Sequence, residues 1–210
     1  MKVDELETLV SEMGVQELLL KPSDLALDVG IWRSYPAPNC ENCRGKCCAK
    51  LLDLRLFDIA RFMDNGLDDF IEGTFESFAE YYLSARNGKT KVRQPFPYVT
   101  PAAGSIYCRF LDEENRCSIY EARMSACRAF PLGIARDKDD NISLQWFGDQ
   151  CNISSNEGAF WKMLNNAILN WNEGVKNQLL LINARDQLRD MGFGKYLGAE
   201  ERYVLNVGSK

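Results

Sequence analysis

The chain has 210 residues, of which 46% are hydrophobic and 26% are charged, and its net charge is −5. This composition is ordinary for a soluble globular protein, and the length allows either one domain or a domain with an appendage. The acidic balance argues against general nucleic-acid or anionic-membrane binding, because both need an excess of lysine and arginine. The absence of histidine excludes His-containing zinc sites and catalysis by a Ser-His or Cys-His pair.

The N-terminal sequence indicates a cytoplasmic protein. Residues 1–7 are acidic and amphipathic, whereas a secretory signal has a basic start and an unbroken apolar run. No window approaches the roughly 18 apolar residues of a membrane span. We therefore expect no membrane partner and no nucleic-acid partner. In a reducing cytoplasm, clustered cysteines are more often metal ligands than structural disulfides.

Helix, then a short strand, is predicted before the first cysteine. Residues 4–20 have apolar side chains at helical spacing, with Gly14 as a candidate kink or break. Alternating apolar residues over 25–31 predict a strand. The proline-rich stretch 35–38 then joins this region to the cysteines.

The middle of the chain predicts helices and two hairpins. Residues 56–64 have helical spacing, and 67–78 indicate one or two short helices. Prolines make 87–101 a predicted loop. A hairpin-like unit with a cysteine on each arm is expected over 106–120, and a second hairpin over 132–147.

A long helix is predicted at the C-terminal end. Either Ser154 or Ser155 makes a good N-cap, and the helical pattern continues to about Leu188, with a break near Gly174 left open. Apolar stripes along this helix are interpreted as core packing.

These elements together predict an α+β fold. A small, irregular, cysteine-rich metal core with short β-hairpins is flanked by N- and C-terminal helices. We expect an N-terminal helical extension over 1–37, a metal-binding domain over 38–155, and C-terminal helices over 156–210 that pack on it in one globular unit.

All eight cysteines lie in the middle region of the chain, and four of them fall within nine residues. Sulfur ligands without histidine favour zinc or iron–sulfur clusters over magnesium, calcium or manganese. We therefore treat every cysteine as a candidate metal ligand. They are Cys40, Cys43, Cys47, Cys48, Cys108, Cys117, Cys127 and Cys151.

The cysteine spacing leaves the number of sites open. Cys40-x-x-Cys43 is the usual two-ligand unit. The adjacent Cys47 and Cys48 point to opposite sides of an extended chain, so they suit two sites, or one ligand and one supporting or reactive thiol. Eight thiols could fill two four-sulfur sites, or one cluster with up to four thiols left over. Because paired Cys-x-x-Cys units are typical of zinc and one unit is present here, an iron–sulfur cluster is slightly favoured over zinc.

Basic residues accompany these cysteines. Arg109 and Arg128 directly follow cysteines, and Arg123 lies shortly before Cys127. A divalent metal with four thiolates carries a net charge of about −2, which neighbouring cations offset. The three arginines are therefore candidates for contact with a cofactor or an anionic substrate. The alternative is that they are ordinary solvated surface residues.

Several blocks of the sequence resemble a known family. They are Cys40-x-x-Cys-x-x-x-Cys-Cys, Asp58-Ile-Ala-Arg-Phe, Cys108-Arg-Phe-Leu, Cys117-Ser-Ile-Tyr-Glu-Ala-Arg, Cys127-Arg-Ala-Phe-Pro and the final Cys151. Over roughly residues 38–155 the chain resembles the YkgJ-like cysteine-cluster family, a zinc- or iron-chelating domain. The resemblance implies metal binding through the cysteines and no particular activity. The chain departs from the pattern at Met124, where family members usually have proline.

Three classes of function are compatible with these residues. The first is a metal-binding protein with a redox, cluster-carrier or accessory role, acting with or without a protein partner. The second is an enzyme, either a redox catalyst or a relative of the flagellin lysine N-methylases, which some larger family members resemble. The third is a thiol redox sensor that uses Cys47 or Cys48. Without histidine or a glycine-rich cofactor loop, the prediction leans away from an enzyme and towards the metal-binding protein.

Overall fold

A computed structural model describes residues 1–25, 27–28, 30–35, 37–38, 53–75, 96–99, 108–114, 116–136, 141–147, 153–154 and 156–198. The α-helices in these ranges are α1 (Lys2–Glu12), α2 (Leu56–Asp64), α3 (Ser125–Ala129), α4 (Glu157–Asn183) and α5 (Arg185–Leu188). The strands are β1 (Ala37–Pro38), β2 (Ile71–Glu72), β3 (Tyr98–Val99), β4 (Leu132–Arg136), β5 (Ile142–Trp146) and β6 (Ile153–Ser154). This mixture, with helices towards both ends of the chain, confirms the predicted α+β class.

The strands of the described ranges pair as three antiparallel two-stranded sheets. β4 and β5 form the hairpin predicted over 132–147, with Leu132 opposite Trp146 and Arg136 opposite Ile142. β2 pairs with β3, and β1 pairs with β6. The β1–β6 pair joins the segment before the first cysteine to the segment after the last cysteine.

The chain divides into two compact units. Unit 1 comprises Met1–Met13, Leu52–Thr100 and Lys176–Lys210, and unit 2 comprises Gly14–Leu51 and Pro101–Val175. Helix α4 contributes residues to both. The positions of all eight cysteines fall within the ranges of unit 2. The three-part division of the chain expected from the sequence stays a prediction.

In unit 1, α1 packs against α2. Leu6 and Val10, one turn apart on α1, are both buried, which is the pattern of an amphipathic helix on a core. The backbone N–H of Lys2 donates to the Asp64 carboxylate at 2.8 Å. The last residue of α2 thus accepts from one of the N–H groups that the first turn of α1 leaves without a helical partner.

The buried carboxylate of Asp58 organises the start of α2. It accepts from the Arg55 backbone N–H at 3.1 Å and from Arg61 Nη2 at 2.6 Å. The N–H of Leu56 donates to Asn177 Oδ1 at 2.9 Å. The bonds from the Arg55 and Leu56 N–H groups cap the N-terminus of α2. The sequence block Asp58-Ile-Ala-Arg-Phe therefore contains a carboxylate that stabilises the start of this helix.

The core of unit 2 forms around the first part of α4. Its buried residues are Leu20, Leu25, Ala129, Leu132, Phe160, Met163, Leu164, Ala167 and Ile168. The four tryptophans of the chain, Trp32, Trp146, Trp161 and Trp171, are partly buried against this core. Burial of Phe160, Leu164 and Ile168 confirms the predicted apolar stripe as core packing.

The structure corrects two predictions near the N-terminus. The first helix ends at Glu12, because Gly14 has a φ of +64° and breaks the helical path. The strand predicted over 25–31 is wrong in the described residues, and Ile31 begins a 3₁₀ turn, Ile31–Ser34. The apolar residues of this stretch pack into the core of unit 2 instead, since Leu25 is buried in that core and Leu27 packs against it.

The C-terminal helix also differs from its prediction. It begins after Asn156, whose Oδ1 accepts from the Ala159 N–H at 2.9 Å, so Asn156 is the N-cap in place of Ser154 or Ser155. α4 continues through Gly174 without a break. Glu173 and Lys176, on either side of Gly174, are both buried, and tertiary contacts of this kind can offset the cost of glycine in a helix, about 1 kcal/mol.

Two predicted segments are described in part. Of the short helices expected over 67–78, a 3₁₀ turn covers Asp68–Phe70, and β2 follows it. Of the loop expected over 87–101, the structure describes 96–99, which contain β3. In the described parts of the chain, every helix is too short or too polar to cross a membrane.

Candidate metal centre

Cys108 and Cys117 lie on the two arms of a tight hairpin-like turn. Cys117 forms an isolated antiparallel bridge with Leu111. The Ser118 N–H donates to the Phe110 carbonyl at 2.8 Å, and the Leu111 N–H donates to the Cys108 carbonyl at 3.2 Å. Both cysteines are half-buried. The predicted hairpin with a cysteine on each arm is therefore confirmed over the described residues 108–114 and 116–120.

Asp112 closes this turn. Its Oδ1 accepts from the backbone N–H groups of Glu114 and Arg116 at 2.9 and 2.8 Å, and its Oδ2 accepts from Arg116 Nε at 3.1 Å. The bond from the Arg116 backbone is the main reason that the pKa of Asp112 is lowered, because it stabilises the ionised carboxylate. Ionised Asp112 thus fixes the path of the chain between the two cysteines.

Cys127 lies on α3, which α4 holds in place. Ser125 Oγ donates to Asn170 Oδ1 at 3.1 Å, and Asn166 Nδ2 donates to the Arg128 carbonyl at 3.2 Å. Ser125 is buried and Cys127 is half-buried. The position of the Cys127 backbone is therefore set by the long helix.

The arginines near the cysteines brace the turn before α3. Arg128 Nε donates to the Arg123 carbonyl at 3.0 Å, and its Nη2 donates to the Glu121 carbonyl. The guanidinium of Arg123 lies over the Tyr120 ring, with its carbon 3.7 Å from the ring centre. Arg109 is half-buried. The assignment of Arg109, Arg123 and Arg128 to a cofactor or anionic substrate stays a prediction.

The remaining cysteines lie outside the described residues. They are Cys40, Cys43, Cys47, Cys48 and Cys151. Among the residues that are described, no group of three or more cysteine, aspartate or glutamate side chains is arranged to hold a metal ion. The described Cys108, Cys117 and Cys127 therefore do not form a three-ligand site by themselves.

The β1–β6 pair lies next to the first and last cysteines in the sequence. Ala37 pairs with Ser154, and Pro38 pairs with Ile153. Cys40 follows Pro38 by two residues, and Cys151 precedes Ile153 by two. The pair therefore joins the two chain segments that lead to the first and the last cysteine.

The donor set of the chain suits a thiophilic metal. Eight thiols and no histidine are available in the sequence. Thiolate sulfur binds zinc at about 2.3 Å in tetrahedral four-ligand sites, and four cysteines are also the usual ligand set of iron–sulfur clusters. The residues present therefore fit zinc or iron held by sulfur.

The comparison with protein families agrees with this chemistry. Residues 39–152 match the CxxCxxCC family, described as "Putative zinc- or iron-chelating domain". The chain belongs to this family. Membership in the CxxCxxCC family supports a metal-binding role and leaves zinc and iron as alternatives. In this chain three residues, rather than the two in the family's name, separate Cys43 from Cys47.

The other comparisons add no relative. The search of curated proteins found no match, and the search of solved structures found none either. The CxxCxxCC match covers more than half of the chain but ends before α4 begins. The helix that holds α3 therefore lies outside the residues that define the family.

Sequence reasoning missed the polar residues that anchor α3. Asn166 and Asn170 are one helical turn apart, next to the apolar stripe of α4. Two asparagines at this spacing beside a buried face are a usable signal, because amides in a partly buried position need hydrogen-bond partners. Their partner, Ser125, could not be identified without the tertiary structure.

Proposed function

We propose that this member of the CxxCxxCC family is a cytoplasmic protein that binds an iron–sulfur cluster through cysteine thiolates, with zinc as the alternative metal. Its role is then to carry electrons or the cluster, or to act as an accessory protein in such a process. The β1–β6 pairing carries the proposal, because it brings the chain on either side of the cysteine region to one place.

The register of this pair supports a shared site for the first and last cysteines. Pro38 is opposite Ile153 in an antiparallel ladder. Cys40 follows Pro38 by two residues in the sequence, and Cys151 precedes Ile153 by two, so the pair joins the two chain segments that lead to these thiols. We propose Cys40 and Cys151 as ligands of a common site.

The described cysteines support a site assembled from several segments. Cys108, Cys117 and Cys127 do not form a three-ligand group among the described residues. A four-thiolate site that includes one or two of them needs further sulfur from the block between Cys40 and Cys48, or from Cys151. We therefore propose all eight cysteines as ligands, in one or two sites, with Arg109, Arg123 and Arg128 offsetting the negative charge.

The preference for an iron–sulfur cluster rests on the cysteine spacing. A single Cys-x-x-Cys unit is present in the chain, whereas structural zinc sites usually combine two such two-ligand units. The adjacent pair Cys47-Cys48 suits ligands of different metal atoms better than two ligands of one atom. A reducing cytoplasm keeps these thiols available for metal.

Metal analysis of anaerobically purified protein tests the proposal. We expect iron and acid-labile sulfide in the protein, with a brown colour that bleaches on reduction. Zinc in stoichiometric amount without colour would identify zinc as the bound metal in place of the cluster and would give the site a structural role. Absence of both metals from protein that is folded by circular dichroism would refute the proposed function.

A double-mutant cycle tests the shared site. Cys40→Ser and Cys151→Ser should each lower the metal content, and the double variant should lose little more than either single variant, because both remove the same site. Each single variant serves as the matched control for the other. Full metal content in both single variants, or additive losses, would contradict a common site for Cys40 and Cys151.

A further inference from the structure

Two asparagines of α4 contact both ends of the short helix that carries Cys127. Asn170 accepts a hydrogen bond from Ser125, the first residue of α3, and Asn166 donates to the carbonyl of Arg128 in its last turn. Because Asn166 and Asn170 are four residues apart, they lie on the same face of α4. We call this pair the asparagine clamp.

Helix α3 depends on contacts outside itself. It contains five residues, and helices much shorter than about 12 residues are not stable alone in water. Besides the asparagine clamp, it is held by Ala129, which is buried in the core of unit 2. Its position and rotation therefore follow α4.

The asparagine clamp also sets the direction of the Cys127 side chain. Successive residues of an α-helix are rotated by about 100°. Ser125 and Ala129, which lie on one side of α3, are 1% and 2% exposed. Cys127 is rotated by about 200° from Ser125, so it lies on the side of α3 that faces away from the buried contacts, and it is half-buried.

From this arrangement we infer that Asn166 and Asn170 are positioning residues for the Cys127 thiolate. They act through the backbone of α3 and do not touch the metal. The inference rests on the proposed metal binding. Both residues lie outside the matched range 39–152, so the cysteine pattern of the family does not include them. Loss of groups that orient a ligand typically weakens metal binding 10- to 100-fold.

Cadmium titration of the full-length, reduced protein under anaerobic conditions tests this role. Near-ultraviolet cadmium–thiolate absorption reports binding, and competition with a chelator gives the affinity. We expect the double variant Asn166→Ala/Asn170→Ala to bind Cd²⁺ about 10- to 100-fold more weakly than the protein without substitutions. Asn165→Ala is the matched control, because Asn165 is exposed on the same helix, and it should leave the affinity unchanged.

A second background separates positioning from general destabilisation. In Cys127→Ser the positioned ligand is absent, so the same double substitution should have no further effect on the affinity. An equal loss in both backgrounds would overturn the inference, as would a double variant that matches Asn165→Ala. If Cys127→Ser binds Cd²⁺ as tightly as the protein without substitutions, Cys127 is not a ligand, and the inference fails while metal binding stands.

Conservative variants keep the test valid if the double variant unfolds. Asn170→Asp retains an oxygen acceptor for the Ser125 hydroxyl, and Ser125→Thr retains the hydroxyl. Both should keep the affinity, whereas Ser125→Ala should lower it. Equal affinities for Ser125→Thr and Ser125→Ala would overturn the inference. If the protein without substitutions takes up no Cd²⁺, the proposed function and the inference about the asparagine clamp both fail.

Discussion

Replacement of Asn172 tests how α4 holds the segment that leads to the first cysteines. The side chain of Asn172 makes two hydrogen bonds to the backbone of Leu20. Its Oδ1 accepts from the Leu20 N–H at 2.8 Å, and its Nδ2 donates to the Leu20 carbonyl at 2.9 Å. Leu20 is 6% exposed, so in Asn172→Ala these two backbone groups would lack both the amide and easy access to water.

The expected loss follows from these two bonds. A typical intramolecular hydrogen bond contributes about 1 kcal/mol, so Asn172→Ala should lower the free energy of unfolding by about 2 kcal/mol. For a chain of this size, each 1 kcal/mol lowers the melting temperature by about 2–4 °C, which gives about 4–8 °C. The higher helix propensity of alanine opposes this loss by up to about 0.7 kcal/mol.

Tryptophan fluorescence during urea unfolding measures the effect where it occurs. All four tryptophans pack against the core of unit 2, which also contains Leu20. Asn165→Ala makes the same chemical change at an exposed position of α4, so it carries the propensity gain without the lost bonds. If Asn172→Ala is as stable as Asn165→Ala to within about 0.5 kcal/mol, the reasoning from these bonds is wrong.

Three further outcomes are expected. Asp58→Ala should destabilise unit 1 by about 2–4 kcal/mol in urea unfolding followed by circular dichroism, because it removes the buried carboxylate that accepts from the Arg55 N–H and from Arg61, whereas Asp69→Ala, at an exposed position, should change little. Gly198→Ala should lower the melting temperature more than Gly14→Ala, because both have φ above +60° but only at Gly198 would the new Cβ lie 2.5 Å from a backbone carbonyl oxygen. The pKa of Asp112 is lowered in the folded state, so the ionised carboxylate stabilises the folded protein fully above the unfolded pKa of about 3.9, and this contribution is lost as the pH falls through the folded pKa. Asp112→Asn should therefore lose less stability than the parent protein between pH 5 and pH 2 in urea titrations. Equal pH profiles would contradict this role of Asp112.

Local sequence signals identified the elements whose structure is decided by neighbouring residues. The apolar spacing of 56–64 predicted α2, which spans Leu56–Asp64, because the apolar residues at this spacing are buried in the structure. The two apolar runs around a charged turn predicted the β4–β5 hairpin. The cysteine pattern identified the family that the chain belongs to, since thiol spacing reports metal chemistry without any knowledge of the fold.

The sequence signals failed where distant residues compete with local preference. Alternation over 25–31 predicted a strand, but the described residues there use their apolar side chains to cover the core of unit 2. Gly174 lowers helix propensity, yet α4 continues through it, because residues on either side of it are buried. Ser154 has the chemistry of an N-cap but belongs to β6, which leaves Asn156 to cap the helix.

The sequence by itself determined the ligand chemistry of this protein, because a chain with eight cysteines and no histidine can offer a metal no imidazole and has thiolate sulfur as its main soft donor. The tertiary structure decided which distant segments meet. The pairing of Pro38 with Ile153 and the contact of Ser125 with Asn170 join residues far apart in the chain. No periodicity or spacing encodes such contacts, since they depend on how the elements pack once their apolar faces are buried.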